Sequence, residues 1–452
     1  MTEAHKTTAT GAGSVGAATD ESALSGHESR AGLARLFIFS YLVQGLSQNF
    51  GVVSQTLNCY LKDGLGFDAA GVSSFMAVLL LPWMIKPVYG ILADLFPGEG
   101  GASSTYLWLG NVICAVFYFF LALFLSTSPE MAPQFSAAFS IFLIMFANVG
   151  MALATVIAIG MAASQEDGGG TRRFLAYQGT AYYLANIAAL LLSGILAQMF
   201  PPARALALSA FLAALPPSLV AIYLLPQLAP ELPRLRRASG RVGFAALAAG
   251  VCGASRNLPP LLKDSRFLAT AGFLMLWNFS PSLGVSLYFF ERDRLDFSPQ
   301  LIGQLGACSS LGLLLGSLLF FRLTSLACTR RYTALMIALS CLVTLSYLGL
   351  HDSLSAFLIE FVRGLTSGIF TLSLYGMAAD ACPRQWRTSL MAVLICLFNL
   401  AAEGGVLLGG QLYSAVCRPF FGGSLLPLLV VSVFTTSCCF FFLPAIYKIR
   451  RT

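Results

Sequence analysis

Charged side chains are scarce in this chain of 452 residues. Asp, Glu, Lys and Arg together make 10% of it, while 57% is hydrophobic. A soluble globular chain carries about 25% charged residues, so there are too few here to coat a water-exposed surface. That excludes a cytosolic enzyme, a disordered scaffold and a small secreted domain. Histidine is nearly absent: His5, His27 and His351 lie far apart and make no constellation. The 11 cysteines show no zinc-ligand spacing and read as small apolar packing residues. No Walker loop, nucleophile elbow or zinc motif occurs. Neither ATP-driven machinery, nor an enzyme activity, nor a cofactor is expected.

What is present is a series of twelve long apolar runs, near 33–58, 70–95, 104–126, 134–162, 174–199, 206–225, 266–290, 300–322, 331–350, 354–380, 388–416 and 424–446. Each is long enough to cross about 30 Å of hydrocarbon as a helix. Both faces of each run are apolar, so the alternating pattern of a membrane barrel is missing. The fold class predicted is an all-α membrane protein with twelve transmembrane helices. An even number of spans puts both termini on one side. The other side's loops then hold five basic residues, Lys62, Arg204, Arg292, Arg294 and Arg418, and Lys86 and Arg363 fall inside spans. The remaining 20 of the 27 Lys and Arg share the side of the termini. The positive-inside rule therefore predicts cytoplasmic termini, in an inner or plasma membrane. It also explains the net charge of +7 without nucleic acid.

Residues 1–30 are polar, lack the apolar core of a signal peptide and read as a disordered cytoplasmic tail. Residues 226–265 are rich in Pro and Arg and read as a cytoplasmic linker. They divide a six-helix bundle over 31–225 from a second over 266–447, with a short tail over 448–452. A faint echo supports a repeat. Tyr60-x-x-x-x-Leu65-x-Phe67 aligns with Phe290-x-x-x-x-Leu295-x-Phe297 at an offset of 230, which also sets Gln48 opposite Asn278. Two six-helix pseudo-repeats joined by a long loop are the layout of major facilitator transporters.

The few ionisable residues inside spans carry the functional signal, because each costs about 2.5–3.5 kcal/mol at mid-helix and must face the bundle interior or a wet cavity. Lys86 lies deep in span 2, beside Trp83 and Pro87, and reads as an anion-binding cation or an ion-pair partner that moves during a cycle, or else as a snorkelling or fixed structural charge. Glu360 and Arg363 are three apart on span 10 and share a face that continues through Ser367, Thr371 and Tyr375. They read either as a local salt bridge or as a substrate cation with a coupling carboxylate. Glu403 has no partner on its own helix and reads as a proton carrier, or as a partner of Lys86 or Arg363. Polar stripes run along span 1 (Gln44, Gln48) and span 5 (Gln178, Tyr182, Asn186). Asn278 precedes a predicted break of span 7 at Pro281 and Gly284. Each stripe alone suits interhelical hydrogen bonding; several converging with two cations suit a central binding site.

Three stretches together resemble the folate–biopterin transporter family of the major facilitator superfamily. They are Tyr41-Leu42-Val43-Gln44-Gly45-Leu46-Ser47 with Tyr60-Leu61-Lys62-Asp63, then Leu81-Pro82-Trp83-Met84-Ile85-Lys86-Pro87-Val88-Tyr89-Gly90, and Ser280-Pro281-Ser282-x-Gly284 with Leu295-x-Phe297-Ser298-Pro299. Gly90-x-x-x-Asp94 further resembles the superfamily's loop motif, whose aspartate supports a gate. The resemblance implies a proton-coupled or exchange carrier for folates, pterins or similar organic anions, working by alternating access. Lys86 and Arg363 would then neutralise carboxylates, and Trp83, Tyr182, Trp277 and Tyr375 would stack the ring. Gln44, Gln48 and Asn278 would complete the site, with Glu403 and Glu360 as coupling carboxylates. The expected partners are a small organic anion, protons and the lipid bilayer, for a monomer. Span 4 departs from the family: where relatives carry acids, this chain reads Ala154-Thr155-Val156 to Gly160-Met161-Ala162-Ala163-Ser164. Two other readings are therefore retained: a carrier or exporter of another amphipathic or aromatic solute, and a non-transporting assembly or sensor protein.

Overall fold

The computed structural model describes residues 35–48, 51–86, 88–89, 102–127, 132–163, 168–224, 264–281, 283–323, 329–382 and 387–447. Every regular element among them is helical. In hydrocarbon no water pairs with a bare amide or carbonyl, and a helix satisfies its own backbone. The first apolar run forms two pieces, α1 (35–47) and α2 (Ser54–Cys59), the latter continued by a π turn to Gly64. The second forms α3 (Ala69–Met84). The other runs of the first half are α4 (Ala102–Thr127), α5 (Pro133–Ala163), α6 (Gly168–Met199) and α7 (Pro202–Leu219). The second half holds α8 (Ser265–Phe279), α9 (Gly284–Asp293), α10 (Pro299–Leu323) and α11 (Arg330–Ser346). It ends with α12 (Ser353–Ala381), α13 (Arg387–Leu412) and α14 (Leu426–Cys438).

Ten of the described helices are long and apolar enough to cross a membrane. The two remaining predicted spans are the broken α1–α2 and the 16-residue α3. The predicted break in span 7 falls between Phe279 and Gly284. A matching interruption in span 1, between Gln48 and Ser54, was not anticipated. The predicted linker, the N-terminal tail and the last residues lie outside the described residues.

The internal echo is a repeat of geometry. After span 1, Leu65 N–H donates to Tyr60 O and Phe67 N–H to Leu61 O; after span 7, Leu295 donates to Phe290 O and Phe297 to Glu291 O. The next helices are capped alike, Gly71 N–H by Asp68 and Leu301 N–H by Ser298. These partners differ by 230 in each case. At the start of α12, Asp352 and Ser355 form a capping box. Hydrogen bonds from Ser355 hold the Asp352 carboxyl below its ordinary range.

Close backbone approach joins the helices. α10 and α12 meet through glycines: a Cβ on Gly364 would stand 2.0 Å from Ser309 O, and one on Gly312 2.5 Å from Phe361 O. The two helix sets touch where α3 meets α13 and where α6 meets α10. Gly410 packs on Ser73 at the first contact and Gly194 on Gly303 at the second. Small residues at these crossings fit a medium in which tight packing drives helix association. Spans 1 and 7 end, and α3, α10 and α12 begin, at one membrane face, here termed the Lys62 face.

Replacing Gly364 by Val should overpack the α10–α12 crossing at a cost of about 1–3 kcal/mol or more. Replacing Gly376 by Ala, where an added Cβ meets nothing within 4 Å, should change little. Size-exclusion profiles of detergent-solubilised protein after graded heating check this. Equal thermal tolerance of the two variants would contradict the packing assignment.

Candidate transport site

Lys86 follows α3 after a non-helical step at Ile85. Its ammonium sits 4.4 Å from the Trp83 ring centroid, a cation–π contact of about 0.5–2 kcal/mol. Among the described residues no carboxylate pairs with it. Leu81, Ile85 and Val88 take the exposed side of this segment, and Lys86 is half-buried off that side. Two residues back, Met84 O accepts from Cys396 Sγ of α13 at 3.6 Å. Lys86 therefore lies where the two helix sets border each other.

Arg363 is 42% exposed at its side chain, yet not to lipid. The lipid side of α12 is marked by Leu354, Leu358 and Val362, exposed by 67%, 60% and 43%. At about 100° per residue, Arg363 stands roughly 140° around from their mean. Its guanidinium thus opens into interior space. It also binds Glu360 through Nη2 at 2.6 Å and Nε at 3.0 Å, and donates to Ser309 Oγ at 2.8 Å. Tyr347 OH donates to the other Glu360 oxygen at 2.5 Å. Both Glu360 oxygens are therefore engaged by hydrogen bonds. Measured along the helices from the Lys62 face, Arg363 lies about 15 Å deep and Lys86 about 26 Å. The two cations, one on each helix set, stand roughly 10 Å apart along the membrane normal.

The other predicted residues divide. Gln48 donates to Tyr182 OH, and Asn278 donates to Leu274 O at 2.9 Å, so these polar groups are already spoken for within the bundle. Gln44 Oε1 is buried without a partner and remains available to a donor. Tyr375 contacts the Phe398 ring at 5.8 Å. Among the described residues Glu403 Oε2 is buried without a partner, and no ion pair joins Glu403 to Lys86 or Arg363. The register set by Ser73 on Gly410 and Met84 on Cys396 puts Glu403 roughly 12 Å from the level of Lys86. Asp94 lies outside the described residues.

At the Lys62 face the two sets are tied by a reciprocal pair of salt bridges. Lys62 Nζ meets Asp293 Oδ1 at 2.7 Å, and Arg292 Nη2 meets Asp63 Oδ2 at 3.2 Å. Lys62 and Arg292 differ by 230, as do Asp63 and Asp293, so each basic–acidic pair of one repeat grips its counterpart in the other. Cys59 Sγ and Tyr288 OH add a contact at 3.2 Å. A recess of about 510 Å³ lies over this latch, lined in part by Lys62, Phe289, Asp293, Arg294 and Arg418. It is at the opposite end of α3 from Lys86.

The BT1 family model matches residues 44–449. The chain belongs to the BT1 family. A folate-biopterin transporter of Synechocystis sp. is 21% identical over 385 residues, covering 80% of this chain and 70% of that protein. Probable folate-biopterin transporter 6 of Arabidopsis thaliana is 22% identical over 428 residues, covering 89% and 81%. Among solved structures, a D-xylose–proton symporter superposes with a TM-score of 0.69 at 12% identity, over 92% of this chain and 98% of that one. A nucleoside transporter superposes with a TM-score of 0.63 at 14% identity, over 93% and 99%. This BT1 chain is thus a multi-pass membrane transporter of the major facilitator fold, and not an enzyme.

Sequence reading missed the latch and the buried Glu291. The signal was present in the repeat itself, since Lys62-Asp63 and Arg292-Asp293 fall at equal positions of the two halves. Partly exposed pairs of this kind are each worth about 0–1 kcal/mol. Lys62→Asp sets two carboxylates against each other and should widen the Lys62 face, and adding Asp293→Lys should restore the pair and reverse the widening. Spin-label distances across the Lys62 face read this out. A double variant no better closed than the single would contradict the pairing.

Proposed function

We propose that this BT1 protein is a secondary active transporter of a folate- or pterin-like organic anion, coupled to protons and working by alternating access. The observation that carries the reading is the pair Lys86 and Arg363, two cations on different helix sets and both turned from lipid. An anion bound between them draws the sets together, which is how binding energy drives a rocking motion. The difference of roughly 10 Å in depth suits an elongated ligand that presents an aromatic ring to Trp83 and carboxylates to the cations. The names of the Synechocystis and Arabidopsis relatives favour the same ligand class.

In this reading both termini are cytoplasmic and the latch closes the outer face. The closed latch supports an inward-facing state. Glu403 and Glu360 differ in their fitness for proton carriage. Glu360 is saturated by Arg363 and Tyr347, while Glu403 keeps an unpaired buried oxygen. Glu403 sits where α13 meets α3, so its surroundings change when the sets move. A second reading, a carrier of another aromatic solute, draws on the acid-free stretch of span 4. In that stretch Thr155 is turned onto its own helix at Met151 O.

Labelled folate should enter proteoliposomes faster with an inward proton gradient than without one. Lys86→Ala should lower uptake by about tenfold or more, the usual weight of a charge-assisted contact, while the variant keeps its elution profile. Uptake indifferent to both the gradient and Lys86 would sink the proposal. A thermal-shift panel that responds to neutral aromatic solutes and not to folates would favour the second reading.

A further inference from the structure

Glu291 lies in the last turn of α9, immediately before the latch residues Arg292 and Asp293. It is 4% exposed, and no hydrogen-bond donor among the described residues reaches its carboxylate. Its electrostatic neighbours are Glu360 and Arg363 of α12 and the Tyr347 phenol at the end of α11. Cys308 of α10 adjoins Glu360. The helices α3 and α13 also pack on α9 and bring no charged group to Glu291.

The charges in this cluster do not balance. Two carboxylates face one guanidinium, and the guanidinium is engaged by Glu360 through three hydrogen bonds between 2.6 and 3.2 Å. Tyr347 OH donates a hydrogen bond to Glu360 as well. Among the described residues Glu291 therefore has neither a cation nor a donor of its own. A bare carboxylate so placed carries a desolvation penalty of several kcal/mol, which binding one proton removes. We infer that Glu291, Glu360 and Arg363 form a proton-binding site in which Glu291 holds the proton and Glu360 stays ionised against Arg363.

The sign of coupling follows from position. Arg363 presents its free side to the interior, so an anion docked there adds negative charge beside Glu291 and favours its protonated form. By linkage, the proton favours the anion to the same degree, so proton and anion are taken up together. This step rests on the transport reading above; the proton site itself does not. Because Glu291 adjoins Arg292 and Asp293 in the chain, its change of charge also occurs one residue from the latch.

Infrared difference spectroscopy of the full chain in nanodiscs, titrated with acid and base and without any substrate, tests the site. The expected result is a carbonyl stretch of a protonated carboxylic acid at neutral pH that disappears on alkalinisation. Glu291→Gln should remove a component of that band which Glu403→Gln leaves in place, since each buried acid contributes its own stretch. Should Glu291→Gln not fold, Glu291→Asp keeps the acid and must shift the band. Three results overturn the proposal: no such band in the wild type, a band that never titrates, or a band untouched by substitution at Glu291. Failure of folate uptake with the titration intact would count against the transport reading alone.

Discussion

An ionised side chain inside a bilayer must be turned from lipid and given water, a partner or a proton. At about 2.5–3.5 kcal/mol per unpaired charge at mid-span, against a total stability of about 5–15 kcal/mol for a typical protein, this chain can carry only a few. The constraint explains how each is disposed. Lys86 lies against Trp83 at the border of the helix sets. Arg363 stands across its helix from three lipid-facing residues. Glu360 is held by Arg363 and Tyr347, while among the described residues no donor reaches the buried Glu291 carboxylate or Glu403 Oε2. Pairing some charges and leaving others unpaired separates the framework from the groups open to ligand or proton.

The second organising feature is the repeat. The two halves share a turn, a helix cap and an interrupted first helix at an offset of 230. The latch follows from this symmetry. When a basic–acidic dipeptide occupies the same place in two halves that face each other, each base meets the other's acid. The contact is self-complementary, in the manner of an isologous interface within one chain. Its pairs are partly exposed and individually weak, so the closed face is held without being locked.

Much of the fold was legible in the sequence, because hydrocarbon thickness fixes helix length and the basic residues mark the loops. The break at Pro281 and Gly284 was readable from residue chemistry. Its counterpart after Gln48 was not, since no proline marks it. Lys86, Arg363 and Glu403 were identifiable as charges within apolar runs, and the Glu360–Arg363 pair from its spacing. What the sequence could not supply was which polar residues satisfy one another. Gln48 and Tyr182 come from spans 1 and 5, and their hydrogen bond depends on helix packing rather than on spacing along either helix. Glu291 was overlooked for a related reason: within the run Glu291-Arg292-Asp293 it looks like loop charge, and only the fold turns it inward.

The account stands on Lys86 and Arg363 serving one anion. A structure of the protein determined with saturating folate tests this most directly. The account predicts ligand carboxylate oxygens within salt-bridge distance of Lys86 Nζ or the Arg363 guanidinium, with the ring system at Trp83. Ligand ordered only in the recess over Lys62 and Arg294, or an empty interior at saturation, would contradict it.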